Sequence, residues 1–171
     1  TVSQLDGGDD NFVGPQPSTP AYLNPGDDLY GLLGCSAGNN FFFDSPQDDR
    51  CFGHTFSFWD STCCVLDAQL CLRVKALSSG PNGSGSDGIN FAENGVFVWG
   101  MSMNNLISFA TGGSDVTWDM GDILDICLDL ENLPPSLSVP FNVTNVLAAL
   151  QDGDFSIRFQ DDTEIDYLEL R

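Results

Sequence analysis

From Cys51 onward, apolar and polar positions alternate with the period of two expected of half-buried strands. Phe52, His54, Phe56 and Phe58 fall on one face. Leu66, Ala68, Leu70, Leu72 and Val74 then alternate with Asp67, Gln69, Cys71, Arg73 and Lys75, which turns the first set inward and the second outward. A glycine and serine tract at 78–88 predicts a long hairpin loop, and residues 96–101 are apolar on both faces, as in a central strand with Trp99 buried. Further on, Leu124, Ile126, Leu128 and Leu130 point inward with Asp125, Cys127 and Asp129 outward. Phe155, Ile157 and Phe159 repeat the pattern, and residues 165–170 close the chain as a last strand. Helical spacing occurs once, at Val143, Val146, Leu147 and Leu150 before Asp152-Gly153. Strands and turn signals at these intervals predict an all-β chain folded as an antiparallel β-sandwich, jelly-roll or Ig-like, with one short helix.

Residues 1–34 lack any such period. They hold Pro15, Pro17, Pro20, Pro25 and five Asp, which predicts an extended N-terminal arm preceding a sandwich domain at 35–171. At 171 residues and 42% apolar content the chain suffices for one well-buried core. An arm of this composition is ordered only by packing on its own domain or on a neighbour. Addition of a strand to a neighbour's sheet edge would order it, which points to self-association as a homo-oligomer or filament.

Charge narrows the partners. Of the carboxylate side chains 21 are Asp and 4 are Glu, against one Lys and four Arg, for a formal charge of -20. Nucleic acid phosphates and anionic membrane surfaces would be repelled, and no apolar run is long enough to span a bilayer. Cations, glycans and other proteins remain. The excess of Asp over Glu suits turns and hard-cation sites, because the short carboxylate reaches its own backbone or converges with neighbours on one ion. The leading cation candidates are Asp6, Asp9 and Asp10 near the start with Asp161, Asp162 and Asp166 near the end, and calcium is the expected occupant; otherwise both clusters are solvated turns. The stretch from Asn82 to Asn90 comes within one residue of the calcium-binding glycine-rich nonapeptide, but a single copy cannot stack, so it is expected to be a hairpin loop.

Six cysteines, Cys35, Cys51, Cys63, Cys64, Cys71 and Cys127, lack the paired spacing of a zinc site and predict disulfides. A Cys35–Cys51 loop is the most economical local pair. Cys71 and Cys127 fall on outer strand faces, where they bridge each other if their strands are neighbours or else staple the arm. Glycosylation sequons at Asn82 and Asn142 add to the expectation of a secreted, extracellular protein. The opening at Thr1, without Met or a signal core, fits a processed form.

Catalytic signals are weak. His54, the only histidine, lies on an apolar face and is expected to be structural, with Asp166 as its inward-facing candidate partner. No G-x-S-x-G elbow accompanies it, and Glu93, Glu131, Glu164 and Glu169 share no motif of the kind that places a hydrolytic carboxylate pair. The expectation is no enzyme, with a glycoside hydrolase as the catalytic alternative. Phe41, Phe42, Phe43, Trp59 and Trp118 cannot all face one core, so some are covered by the arm or a loop, or are exposed as a sugar-stacking platform or subunit contact.

Two motifs carry a resemblance. Arg50-Cys51-Phe52-Gly53-His54-Thr55-Phe56 and Gln160-Asp161-Asp162-Thr163-Glu164-Ile165-Asp166-Tyr167 resemble the F-G-H-T-F and D-D-T-x-V-D-Y patterns of a group of secreted bacterial β-sandwich domains of uncharacterised function. The likeness covers roughly residues 50–171 and implies an extracellular, appended-module type of domain with no known activity; the cysteines and the proline-rich arm depart from it. The chain is thus expected to be a non-catalytic extracellular structural protein, a self-assembling subunit of a filament, sheath or matrix stabilised by disulfides and calcium. A carbohydrate-binding module is the alternative.

Overall fold

The computed structural model describes residues 3–18, 27–36, 38–45, 49–57, 64–77, 87–112, 118–137 and 140–171. Its strands are β1 (Gln4–Gly7), β2 (Gln16–Pro17), β3 (Asn39–Asn40), β4 (Phe42–Phe43), β5 (Cys51–Ser57), β6 (Gln69–Ala76), β7 (Gly88–Glu93), β8 (Val96–Ser102), β9 (Ile123–Asp129), β10 (Asp154–Gln160) and β11 (Thr163–Leu170), with one α-helix, α1 (Met103–Thr111), and a 3₁₀ turn at Leu147–Leu150. A four-stranded sheet runs β1-β11-β6-β9 and a five-stranded sheet runs β3-β5-β10-β7-β8; β2 and β4 form a separate short pair. Every pairing is antiparallel except β3 with β5.

Alternation builds the sandwich as expected. Leu70, Leu72 and Val74 of β6 and Ile165, Leu168 and Leu170 of β11 meet Phe52 and Phe56 of β5, Phe91 of β7, and Phe155, Ile157 and Phe159 of β10 in one hydrophobic core. Full burial of a side chain of this size contributes roughly 1.5–3 kcal/mol, so this cluster dominates stability. Cys71 and Cys127 lie directly opposite each other on β6 and β9 and form a disulfide, and Cys35 bridges Cys51. Cys64 is exposed and free, and Cys63 lies outside the described residues.

The outer face of the five-stranded sheet carries a second, smaller cluster in which Leu29 and Leu33 pack with Cys51 and Ala92. The glycine of F-G-H-T-F belongs there: a Cβ on Gly53 would come within 2.6 Å of Leu33 Cδ1. Phe52, His54 and Phe56 face the core, while on the other face Thr55 Oγ1 meets Ser156 Oγ at 2.6 Å across the β5–β10 pair.

The arm folds back on its own chain. β1 adds an edge to β11 (Gln4 opposite Leu170, Gly7 opposite Tyr167), β2 pairs with β4, and Leu29 and Leu33 cover the second sheet. Residues 4–18 and 27–34 are therefore woven into the 35–171 domain.

Several local expectations change. The stretch with helical spacing at 143–150 keeps only the 3₁₀ turn, because the Val143 and Thr144 carbonyls accept from Ser136 and Leu133 and the Val146 amide donates to Leu130. The α-helix stands instead at α1, where Ser102 caps the Asn105 amide, Met103, Leu106 and Ile107 face inward, and Gly112 ends it at φ 67°. Residues 96–101 lie in the edge strand β8, not a central one; the 134–137 segment covers that edge, with Trp99 Nε1 donating to the Pro134 carbonyl at 2.9 Å and the Leu137 amide to the Gly100 carbonyl at 3.0 Å. Leu66, expected inward, precedes β6 and is 82% exposed.

Candidate metal centre

Residues 10, 44 and 166 bring together three carboxylates, two of them buried. Along β11 the register slips between Ile165 and Tyr167, leaving Asp166 as an extra residue opposite β6. Such a bulge re-aims the side chains around it. Ile165 and Leu168 both reach the core, and Asp166 is fully buried. Asp44 follows β4 in the left-handed region at φ 55°, a conformation Asp tolerates, with its amide donating to the Ile165 carbonyl at 2.8 Å. Asp10 sits on the turn after β1, where its Oδ1 accepts from the Val13 amide at 2.9 Å and its Oδ2 from Gln16 Nε2 at 3.3 Å.

One carboxylate oxygen from each of Asp10, Asp44 and Asp166 lies within 4.8 Å of the other two. Asp166 Oδ1 accepts from the Phe12 amide at 3.1 Å; Oδ2 makes no hydrogen bond and stands 3.7 Å from Arg73 Nε. Neither oxygen of Asp44 meets a nitrogen or hydroxyl donor, although the residue is only 6% exposed; its hydrogen-bonding neighbour is the Asp166 carboxyl. Burial, and then the charges of Asp10, Asp166 and Glu164, push the Asp44 carboxyl up to about 7. A buried carboxylate in this position must take a proton or share a cation.

The donor set selects the cation. It is all oxygen, with no thiol or imidazole, which suits a hard ion. Calcium binds oxygens at roughly 2.3–2.6 Å, so ligands around one ion stand up to about 5 Å apart, which matches this group. Asp10, Asp44 and Asp166 would hold the ion, with water or backbone carbonyls completing the shell.

Of the carboxylates singled out in the sequence, Asp10 and Asp166 come together and the others go elsewhere. Asp6 Oδ2 lies 3.1 Å from His54 Nε2 and also accepts from Gln4 Nε2 at 2.7 Å. Asp9 Oδ1 accepts from Arg73 Nη1 at 3.4 Å. Asp161 and Asp162 group with Asp49. There Asp162 Oδ1 accepts from the Asp49 amide at 2.9 Å, and the Asp162 amide donates to Asp87 Oδ1 at 3.3 Å. Asp87 is fully buried, accepts from Trp118 Nε1 at 3.1 Å, and is pushed up to about 7 by burial, then by Asp162 and Asp161. Asp44 was missed; its only signal is its place directly after the Phe41-Phe42-Phe43 run, whose last ring is fully buried.

His54 is buried as expected, but its partner is Asp6, not Asp166. Asp6 stands opposite Leu168, which faces the core, whereas the bulge hands Asp166 to the Phe12 amide. The imidazole sits among Phe43, Phe52 and Phe56 and links β5 of one sheet to β1 of the other. Trp118 is fully buried and offers no stacking surface; Phe41 is half-buried and Phe42 is 49% exposed. Asn142 is exposed at φ 62°, whereas Trp59 and Asn82 lie outside the described residues.

No family profile and no curated protein matches the chain. Among solved structures, dimeric latent PorU from Porphyromonas gingivalis aligns over 98% of this chain and 12% of its own, at 11% identity and a TM-score of 0.42. Among the described residues, no helix is long and apolar enough to cross a membrane.

Proposed function

We propose that this chain is a non-catalytic, extracellular structural module whose N-terminal segment is locked onto its last strand by calcium held on Asp10, Asp44 and Asp166. The observation that carries the reading is Asp44, a buried carboxylate that no nitrogen or hydroxyl donor reaches, grouped with two others. Its physical sense is a clasp: Asp10 belongs to the arm, Asp44 directly follows the strand that pairs with the arm's β2, and Asp166 belongs to the strand that pairs with its β1. Two disulfides support an oxidising environment. A full lack of exposure at His54, and its contact with Asp6, favour a structural role over proton transfer to a substrate.

Since the described parts of the arm close on their own chain, a filament or sheath built from this module would join through other surfaces. Differential scanning calorimetry of the oxidised chain, with and without calcium, tests the clasp: calcium raises the melting temperature of the wild type by more than that of Asp44→Asn. An equal response in both proteins overturns it. Light scattering under the same conditions reads the oligomeric state, and persistence as a monomer at all concentrations removes the assembly reading.

A further inference from the structure

A second group of carboxylates lies where the 27–35 segment meets the tip of the β7–β8 hairpin. Turns closed by Tyr30 to Asp27 and Leu32 to Leu29 hydrogen bonds lay Leu29 and Leu33 on the five-stranded sheet, and the Cys35–Cys51 disulfide fixes the segment's far end. Asp28 holds its near end. Its Oδ1 accepts from the Asn94 amide at 2.8 Å and its carbonyl from the Gly95 amide at 3.0 Å. Asp28 is only 6% exposed; the Ser156 hydroxyl is a weak further donor to its carboxylate, and Oδ2 has no close donor. Glu93, the last residue of β7, is half-buried: Oε1 accepts from Asn94 Nδ2 at 2.8 Å, and the buried Oε2 meets no nitrogen or hydroxyl donor, with the Asp152 carboxyl as its hydrogen-bonding neighbour. Asp152, exposed on the turn before β10, presents the third carboxylate, with oxygens of all three groups within 4.8 Å of one another.

Three carboxylates this close are costly unless they share a proton, as Glu93 and Asp152 do without an ion, or a cation. Burial, followed by the charges of Asp152 and Asp28, pushes Glu93 up to about 7, and Asp28 is raised as well, chiefly by burial. We propose that Asp28, Glu93 and Asp152 form a second calcium site, distinct from that of Asp10, Asp44 and Asp166, which clamps the 27–35 segment to the β7–β8 hairpin. All-oxygen ligands select a hard cation, and the exposed side at Asp152 gives the ion a path in and room for the waters that calcium keeps. The site stands on its own observations and does not depend on the first.

Calcium titration of the intact, oxidised chain by calorimetry, at about pH 8 where Glu93 is ionised, tests the assignment. Wild type binds two ions, and Glu93→Gln and Asp44→Asn each bind one. Asp152→Asn, an exposed change that leaves folding intact, weakens the second site by about tenfold or more. In the Asp44→Asn chain, the Asn94 and Gly95 amide resonances shift on calcium saturation, since both amides bond to Asp28. The proposal is overturned if Glu93→Gln and Asp152→Asn bind calcium like the wild type, or if those two resonances stay fixed. One ion that survives Asp44→Asn but not Glu93→Gln keeps this site and removes the first; the reverse pattern keeps the first and removes this one.

Discussion

Gly7 lies against the backbone of Asp166 so closely that a Cβ on Gly7 would stand 2.4 Å from the Asp166 carbonyl oxygen and 2.8 Å from the Phe43 ring. Its φ of 84° is itself unfavourable for other residues. Strand β1 approaches the bulge of β11 only because this residue has no side chain.

Gly7→Ala is therefore expected to lower stability by about 2 kcal/mol or more, through clash and positive φ together. Urea denaturation gives the magnitude. Limited proteolysis locates it, with cleavage appearing first in residues 8–18 if β1 detaches.

Calcium-free protein is expected to lose stability as pH rises from about 4 to 7. Asp44, Asp87 and Glu93 each stand at about 7 in the folded chain, above their ordinary values of 3.8, 3.8 and 4.5. Over that window the folded state binds more protons than the unfolded state, so unfolding becomes easier with rising pH and the loss levels off above 7. Melting temperatures across that range check the sign. Saturating calcium should flatten the curve, because the ion replaces protons on Asp44 and Glu93.

Asp44→Asn without calcium is expected to melt higher than the wild type at pH above 7. Removal of the charge relieves repulsion with Asp10 and Asp166, and the amide can donate to them. A lower melting point would mean that Asp44 has a role other than cation binding.

Replacement of Cys71 and Cys127 by alanine is expected to cost about 4 kcal/mol, the loop-entropy value for a bridge spanning 56 residues. Loss of the shorter Cys35–Cys51 bridge, spanning 16, should cost about 3 kcal/mol and release the 27–35 segment first. Guanidinium unfolding of the two double variants separates them.

Trp118→Phe leaves Asp87 Oδ2 without its indole donor in a buried position, at an expected 1–3 kcal/mol, roughly the penalty for an unsatisfied buried acceptor. Glycan binding, if the chain has any, should not respond to this change, since the ring is fully buried.

What the sequence determined by itself was whatever rests on near neighbours along the chain. Alternation places Leu70, Leu72, Val74, Phe155, Ile157 and Phe159 inward because side-chain direction in a strand flips at each residue. The Cys35–Cys51 pair was legible from its short loop, and burial of His54 from its apolar neighbours. Tertiary structure decided the rest. The bulge at Asp166 cancels the parity that made it the expected partner of His54, and β1 supplies Asp6 from 48 positions away. The helix moved from 143–150 to α1 because long-range backbone bonds from Leu130, Leu133 and Ser136 engaged the groups a helix would need. Asp10 and Asp166 could be suspected from their place near the two ends, but Asp44 could not. A carboxylate becomes a cation ligand through burial, unmet hydrogen bonds and the nearness of other carboxylates, and these exist only once the strands have packed.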